Sequence, residues 1–202
     1  IVDGTFPEHP EACDAWLVTG SKHGVYDQLA WIEPLKDFLR HARAAGVPLI
    51  GICFGHQIMA EAFGGRAEKS EKGWGCGVHE YHVVKSPNWL NATGGFSMHA
   101  MHQDQVTALP EDATTLATSQ FCTHAMLSYG DPDAPDAISI QPHPEFGVDY
   151  ARTLVERRTG DLIPEDQGGA ALETFGRPVD GEAFARWSLA YLESCAARRR
   201  AA

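Results

Sequence analysis

Three runs of branched apolar residues stand out along the chain: AWLVTG at 15–20, VPLIGIC at 47–53 and AISIQPH at 137–143. None alternates steadily with polar residues, so each reads as a strand covered on both faces, the pattern of parallel sheet between helices. Between the first two, QLAWIEPLKDFLRHARAAG sets Leu29, Ile32, Leu35, Phe38, Leu39 and Ala42 at helical spacing, with Gly46 placed to end the helix. After the second run, GHQIMAEAFGG carries Ile58, Met59, Ala62 and Phe63 on a similar stripe and stops at Gly64 and Gly65. The middle, 73–129, alternates more loosely through VHEYHVV, ATGGFSMHA and ATTLATS and predicts shorter, partly antiparallel strands. Farther on, DYARTLVERRTG predicts a helix and 160–181 a Gly- and Pro-containing connection. The final EAFARWSLAYLESCAARRR predicts a last helix with Phe184, Trp187 and Tyr191 in the core.

The expected fold is α/β: an open, mostly parallel sheet with helices on both faces. A single domain is expected over 1–202, with 147–202 as a C-terminal helical extension. A doubly wound domain opens with its own strand and helix, yet here only a short IVDG fragment precedes the first strong strand by sequence. The expectation is that the first strand and helix are missing upstream.

The second apolar run ends in GICFGHQ, a thiol with glycines two positions to either side. A sharp strand-to-helix turn exposes its apex residue and needs small neighbours, because backbone and helix pass close together. Gly51 and Gly55 supply that space, and Cys53 falls at a helix N-terminus, where the dipole favours the thiolate. A buried structural cysteine would not need both glycines. The Phe54 amide, directly after the nucleophile, is one expected oxyanion donor, and an amide near Gly20 in LVTGSKHG is the second. Among ten histidines, position selects His143: SIQPHPEF puts it at the end of the third apolar run. Ligand sites in parallel sheets lie beyond the strands' carboxyl ends, so His143 can meet Cys53, and Glu145 can orient the imidazole. His56 is expected to brace the turn, and Gln57, beside the nucleophile, to reach substrate. His99, His102 and Asp104 in SMHAMHQDQV fit a pocket loop better than a metal site.

Composition narrows the partners. The net charge is -11, with 16 Lys and Arg against 27 Asp and Glu and no long basic stretch, which argues against nucleic acid. The Arg198–Arg200 run suits the carboxyl end of a helix. No apolar run approaches the roughly 18 residues of a membrane span, so no membrane partner is expected. Five scattered cysteines without a CxxC pair point to a reducing, cytoplasmic setting and to neither metal nor cofactor.

Together, GICFGHQ around Cys53, QPHPE around His143 and Glu145, and the upstream VTGS loop resemble the class I glutamine amidotransferase family of the triad type. The MHQDQV stretch is similar to a substrate-pocket loop in members like the glutaminase domain of GMP synthase. The resemblance implies attack by Cys53 on the glutamine side-chain amide, release of ammonia, and hydrolysis of a γ-glutamyl thioester. It also implies substrate contacts from Ser21, Gln57, Gln103 and Val106. Where biosynthetic members often carry GGP in the oxyanion loop, this chain has GSK, and no ATP-binding motif follows. Ammonia would therefore go to a separate acceptor subunit or be released. Two alternatives stay open: a γ-glutamyl peptide hydrolase, chemically the same acyl transfer with a larger leaving amine, and a non-catalytic binding or regulatory subunit.

Overall fold

The computed structural model describes residues 1–201. Its centre is three short strands, β1 (Trp16–Val18), β2 (Leu49–Ile52) and β9 (Ala137–Ile140), paired in parallel with Leu49 opposite both Trp16 and Ala137. These are the three apolar runs read from the sequence. Every residue of β2 and β9 is buried, because each face of these strands meets its own apolar cluster. Leu49 and Ala137 pack with helices α1 (Ile32–Ala44) and α2 (Phe54–Ala62), whereas Ile50, Ile52, Ile138 and Ile140 pack with the last helix, α5 (Gly181–Ala201). Phe184 and Tyr191 of α5 are buried there.

Both early helices stop where the glycines predict. Gly46 has φ 70°, and the amides of Gly46 and Val47 bond back to Arg43 and Ala42, the paired bonds of a Schellman cap. At the end of α2, Gly64 has φ 100°, and Gly64 and Gly65 donate to Glu61 and Ala60 in the same way.

The sheet as a whole departs from the expectation of an open, mostly parallel one. Beyond β9 come β8 (Met126–Tyr129), β7 (Ala113–Thr118), β4 (Gly75–Val83) and β5 (Gly95–His102), in the order β1-β2-β9-β8-β7-β4-β5. All four added pairings are antiparallel, against two parallel ones. Nor is the sheet open and flat. The backbone of His143, just past β9, forms an isolated antiparallel bridge with His99 of β5, so the far strand curls back to the sheet's parallel core. The physical reason is connectivity: β4 to β5, β7 to β8 and β8 to β9 are joined by loops without crossover helices, and such connections give antiparallel neighbours. The strands expected to be short include the two longest, β4 and β5. A separate two-stranded antiparallel ribbon joins β3 (Arg66–Lys69) to β6 (Asp104–Ala108).

Helix α3 (Val148–Arg158) lies where DYARTLVERRTG predicts it, and α4 (Glu165–Leu172) forms inside the stretch read as a connection. These two helices bury Ala151, Val155 and Ala171 against Cys76 of β4 and Met101 of β5. Among the described residues, no helix is long and apolar enough to cross a membrane.

Candidate active site

The turn between β2 and α2 concentrates the local strain. Cys53 adopts φ 52° and ψ −100°, a region L-residues rarely occupy and one that costs about 1–3 kcal/mol. Its neighbours hold it there: the Cys53 amide donates to the Ile140 carbonyl at 2.9 Å, and the Gln57 amide donates to the Cys53 carbonyl at 3.1 Å. The flanking glycines are needed for close approach. A Cβ on Gly55 would lie 2.1 Å from the Val18 carbonyl oxygen, and one on Gly51 would lie 2.6 Å from the Gly55 backbone. Thus β1, β2 and α2 touch through bare backbone beneath the thiol.

His143 faces the same point from the end of β9. Its Nδ1 is 2.7 Å from Glu145 Oε1, and the Phe146 ring stacks on the imidazole with centroids 3.9 Å apart. The His143 amide donates to the His99 carbonyl at 2.8 Å. Burial alone would drive the proton off this imidazole. Hydrogen bonds to Cys53 and Glu145, with the charges of both, outweigh burial and raise His143 from its ordinary 6.5 to about 9. These neighbours favour the protonated imidazole.

Gly20 packs directly onto this pair. A Cβ there would sit 2.9 Å from His143 Cε1 and 3.7 Å from Cys53 Cβ. Neither the Gly20 amide nor the Phe54 amide, at the first position of α2, has a hydrogen-bond acceptor among the described residues.

A cavity of about 300 Å³ opens onto Cys53. Ser21, Gln57 and Gln103 line it. The Ser21 hydroxyl also accepts from the His23 amide at 3.2 Å. Gln57 donates its side-chain NH₂ to the Asp104 carbonyl at 3.0 Å and to Gln141 Oε1 at 3.2 Å, leaving its own oxygen as an acceptor. Val106 does not line the cavity; it is buried in the cluster beneath α1 and α2. His56 braces the turn from below, its Nδ1 2.8 Å from Ser139 Oγ, and burial takes it down to about 3.

The histidines weighed as metal ligands each bond a backbone carbonyl through Nδ1. His99 Nδ1 lies 3.1 Å from the Phe146 carbonyl, and His102 Nδ1 lies 3.0 Å from the Asp104 carbonyl, with burial lowering His102 to about 3. No group of three or more His, Cys, Asp or Glu among the described residues is arranged to hold a metal ion.

Several cavity residues escape a reading of the sequence: Tyr26, Lys69, Trp74 and Arg158. The Tyr26 hydroxyl donates to the Asp104 carboxylate at 3.0 Å and joins the β1–α1 loop to β6. Burial, then the bond to Asp104 and its charge, push that phenol up to about 12. No local signal marks these residues, which come from four separate segments.

Comparison with known proteins matches residues 7–157 to the family described as "Glutamine amidotransferase class-I". Gamma-glutamyl peptidase 3 of Arabidopsis thaliana is 31% identical over 187 residues, covering 86% of this chain and 74% of the peptidase. A glutamine-hydrolysing GMP synthase subunit of Archaeoglobus fulgidus is 33% identical but matches 54% of this chain and 61% of its own length. A crystal structure of a glutamine amido transferase from Methylobacillus flagellatus superposes with TM-score 0.71 at 21% identity, covering 92% of this chain and 80% of that one. That last likeness concerns the fold.

Proposed function

The chain belongs to the class I glutamine amidotransferase family, whose domain hydrolyses glutamine-type and γ-glutamyl amides through a cysteine, and we propose that its own substrates are γ-glutamyl peptides. The observation that carries this choice is the extent of the match. The likeness to the plant γ-glutamyl peptidase runs over 86% of the chain, whereas the likeness to the GMP synthase subunit runs over 54%. A mixed-charge cavity beside Cys53 is also in keeping with a peptide bearing charged groups at both ends.

In this reading the Cys53 thiolate attacks the γ-carbonyl carbon and the carbonyl oxygen takes the negative charge, held by the amides of Gly20 and Phe54. The C–N bond then breaks as the His143 imidazolium passes its proton to the departing nitrogen, leaving a γ-glutamyl thioester on Cys53 and a neutral imidazole. Water enters, gives a proton to His143 and attacks the thioester. Glutamate leaves, and the thiolate and imidazolium are restored. Glu145 holds the ring in position through Nδ1 and takes no part in bond making. In this reading Ser21, Gln57 and Gln103, which line the cavity, are the residues available to contact the glutamyl group.

The runner-up is hydrolysis of glutamine itself with ammonia passed to a separate protein, favoured by the GMP synthase match. Release of glutamate from γ-glutamyl dipeptides and from glutamine, with Cys53→Ala as control, separates the two. Cysteine-dependent dipeptide cleavage exceeding glutamine hydrolysis is the expected result. Glutamine turnover with inert dipeptides would overturn the peptidase reading, and activity surviving in Cys53→Ala would overturn the mechanism.

A further inference from the structure

The charge around the catalytic cavity runs against that of the molecule. The chain carries a net -11, yet three cations, Lys22, Lys69 and Arg158, line the cavity against two carboxylates, Asp27 and Asp104. The carboxylates have partners: Asp27 accepts from the Gly24 amide and faces His23, and Asp104 accepts from Tyr26. None of the three cations makes a salt bridge or a side-chain hydrogen bond among the described residues. Arg43, by contrast, is shared between Asp112 and Asp136, and Arg152 reaches Glu156.

Resting on the γ-glutamyl reading, we infer that the cavity selects substrates whose leaving amine carries a free carboxylate, and that Lys69 and Arg158 bind that carboxylate. The net charges are opposite. A γ-glutamyl amino acid bears one ammonium and two carboxylates, complementary to a site with two carboxylates and three cations. Glutamine bears one of each, is neutral overall, and leaves the site's excess positive charge unbalanced.

Lys69 and Arg158 are the two held by regular structure. Lys69 ends β3 in register with Asp104, and Arg158 ends α3, where its carbonyl accepts the amides of Asp161, Leu162 and Ile163. Lys22 belongs instead to the loop that carries Gly20 and Ser21, on the oxyanion side. A role at the helix dipole alone does not account for Arg158, because Arg157 occupies the same last turn. Arg158 is half-buried and lines the cavity, whereas Arg157 is exposed and does not. An unpaired guanidinium turned partly out of water is poised for an anion, and its planar fork suits a carboxylate.

The test uses a matched pair, γ-glutamyl-alanine and γ-glutamyl-alaninamide, which differ only in the leaving-group carboxylate. The parent is expected to favour the acid in kcat/KM by about 10-fold, the low end for a hydrogen bond to a charged group. In Lys69→Gln/Arg158→Gln the preference collapses toward parity, with the loss carried by KM for the acid, and Arg158→Lys keeps part of it. A ratio between two substrates is insensitive to the fraction of folded enzyme. Equal cleavage of acid and amide by the parent, or a double variant that retains the preference, overturns the inference while leaving the peptidase reading intact. Turnover of neither dipeptide, with glutamine hydrolysed, overturns the peptidase reading and the inference with it.

Discussion

Replacing Glu145 with glutamine isolates the electrostatic part of the triad. Glutamine is nearly isosteric and can still accept from His143 Nδ1, so geometry persists while a negative charge 2.7 Å from the ring disappears. His143 stands at about 9 because the bonds and charges of Cys53 and Glu145 override burial. The sign follows directly: without the carboxylate the imidazolium is less stable and loses its proton at lower pH. A neighbouring opposite charge shifts a pKa by roughly 1–3 units, and the Glu145 side chain is 44% exposed, so water already screens it. The lower figure, about one pH unit, is therefore expected. The assay is kcat/KM for a γ-glutamyl dipeptide against pH, which reports ionisations of the free enzyme. Parent activity should fall above about pH 9 as His143 loses the proton it must donate. The Glu145→Gln limb should fall about one unit lower, with substantial activity kept at pH 7. An unmoved limb, or one displaced upward, would refute the electrostatic role of Glu145.

Gly20→Ala would set a methyl group 2.9 Å from His143 Cε1, and the ring must yield. The expected outcome is a drop in kcat of about 10- to 100-fold with the melting temperature little changed, since near misplacement of reacting groups costs on that order; normal kcat would show that the loop moves freely. Gly55→Ala puts its methyl group 2.1 Å from the Val18 carbonyl oxygen, an atom of the backbone that cannot swing aside, so it should destabilise the fold by about 1–3 kcal/mol in urea unfolding. An unchanged midpoint would contradict the close packing of β1 on α2.

The parts of the molecule visible in the sequence are those that local chemistry decides. The apolar runs of β2 and β9 announce buried strands because both of their faces are covered, whereas β1, an edge strand, leaves Leu17 exposed on one face despite its apolar run, and Gly46 and Gly64 mark helix ends because the cap needs positive φ. Gly51 and Gly55 around Cys53 point to the elbow because only bare backbone fits there. Strand direction is different: it depends on which distant segment pairs with which, and no periodicity encodes that. The loose alternation of VHEYHVV, ATGGFSMHA and ATTLATS marks β4, β5 and β7 as partly antiparallel strands, but the MLSY segment of β8 is four residues with no alternation, so the sequence does not show that antiparallel pairings outnumber the parallel ones. Helix α4 hides behind Gly168 and Gly169, whose weak helix propensity reads as a connection. At the site, Cys53, His143 and Glu145 stand out because each sits in a short motif. Val106 falls in the core and Lys69 and Arg158 in the cavity, because tertiary packing alone decides which way they face.

The bond from the His143 amide to the His99 carbonyl gives the curl of the sheet a mechanical meaning. His143 is tethered on one side to the parallel strands that carry the thiol and on the other to the β4–β5 hairpin at the sheet's far margin. The hairpin thus holds the His143 backbone at one point. The position of the imidazole is therefore shared between the strand end that follows β9 and a hairpin from the opposite margin of the sheet, so the curl closes the two edges on one residue.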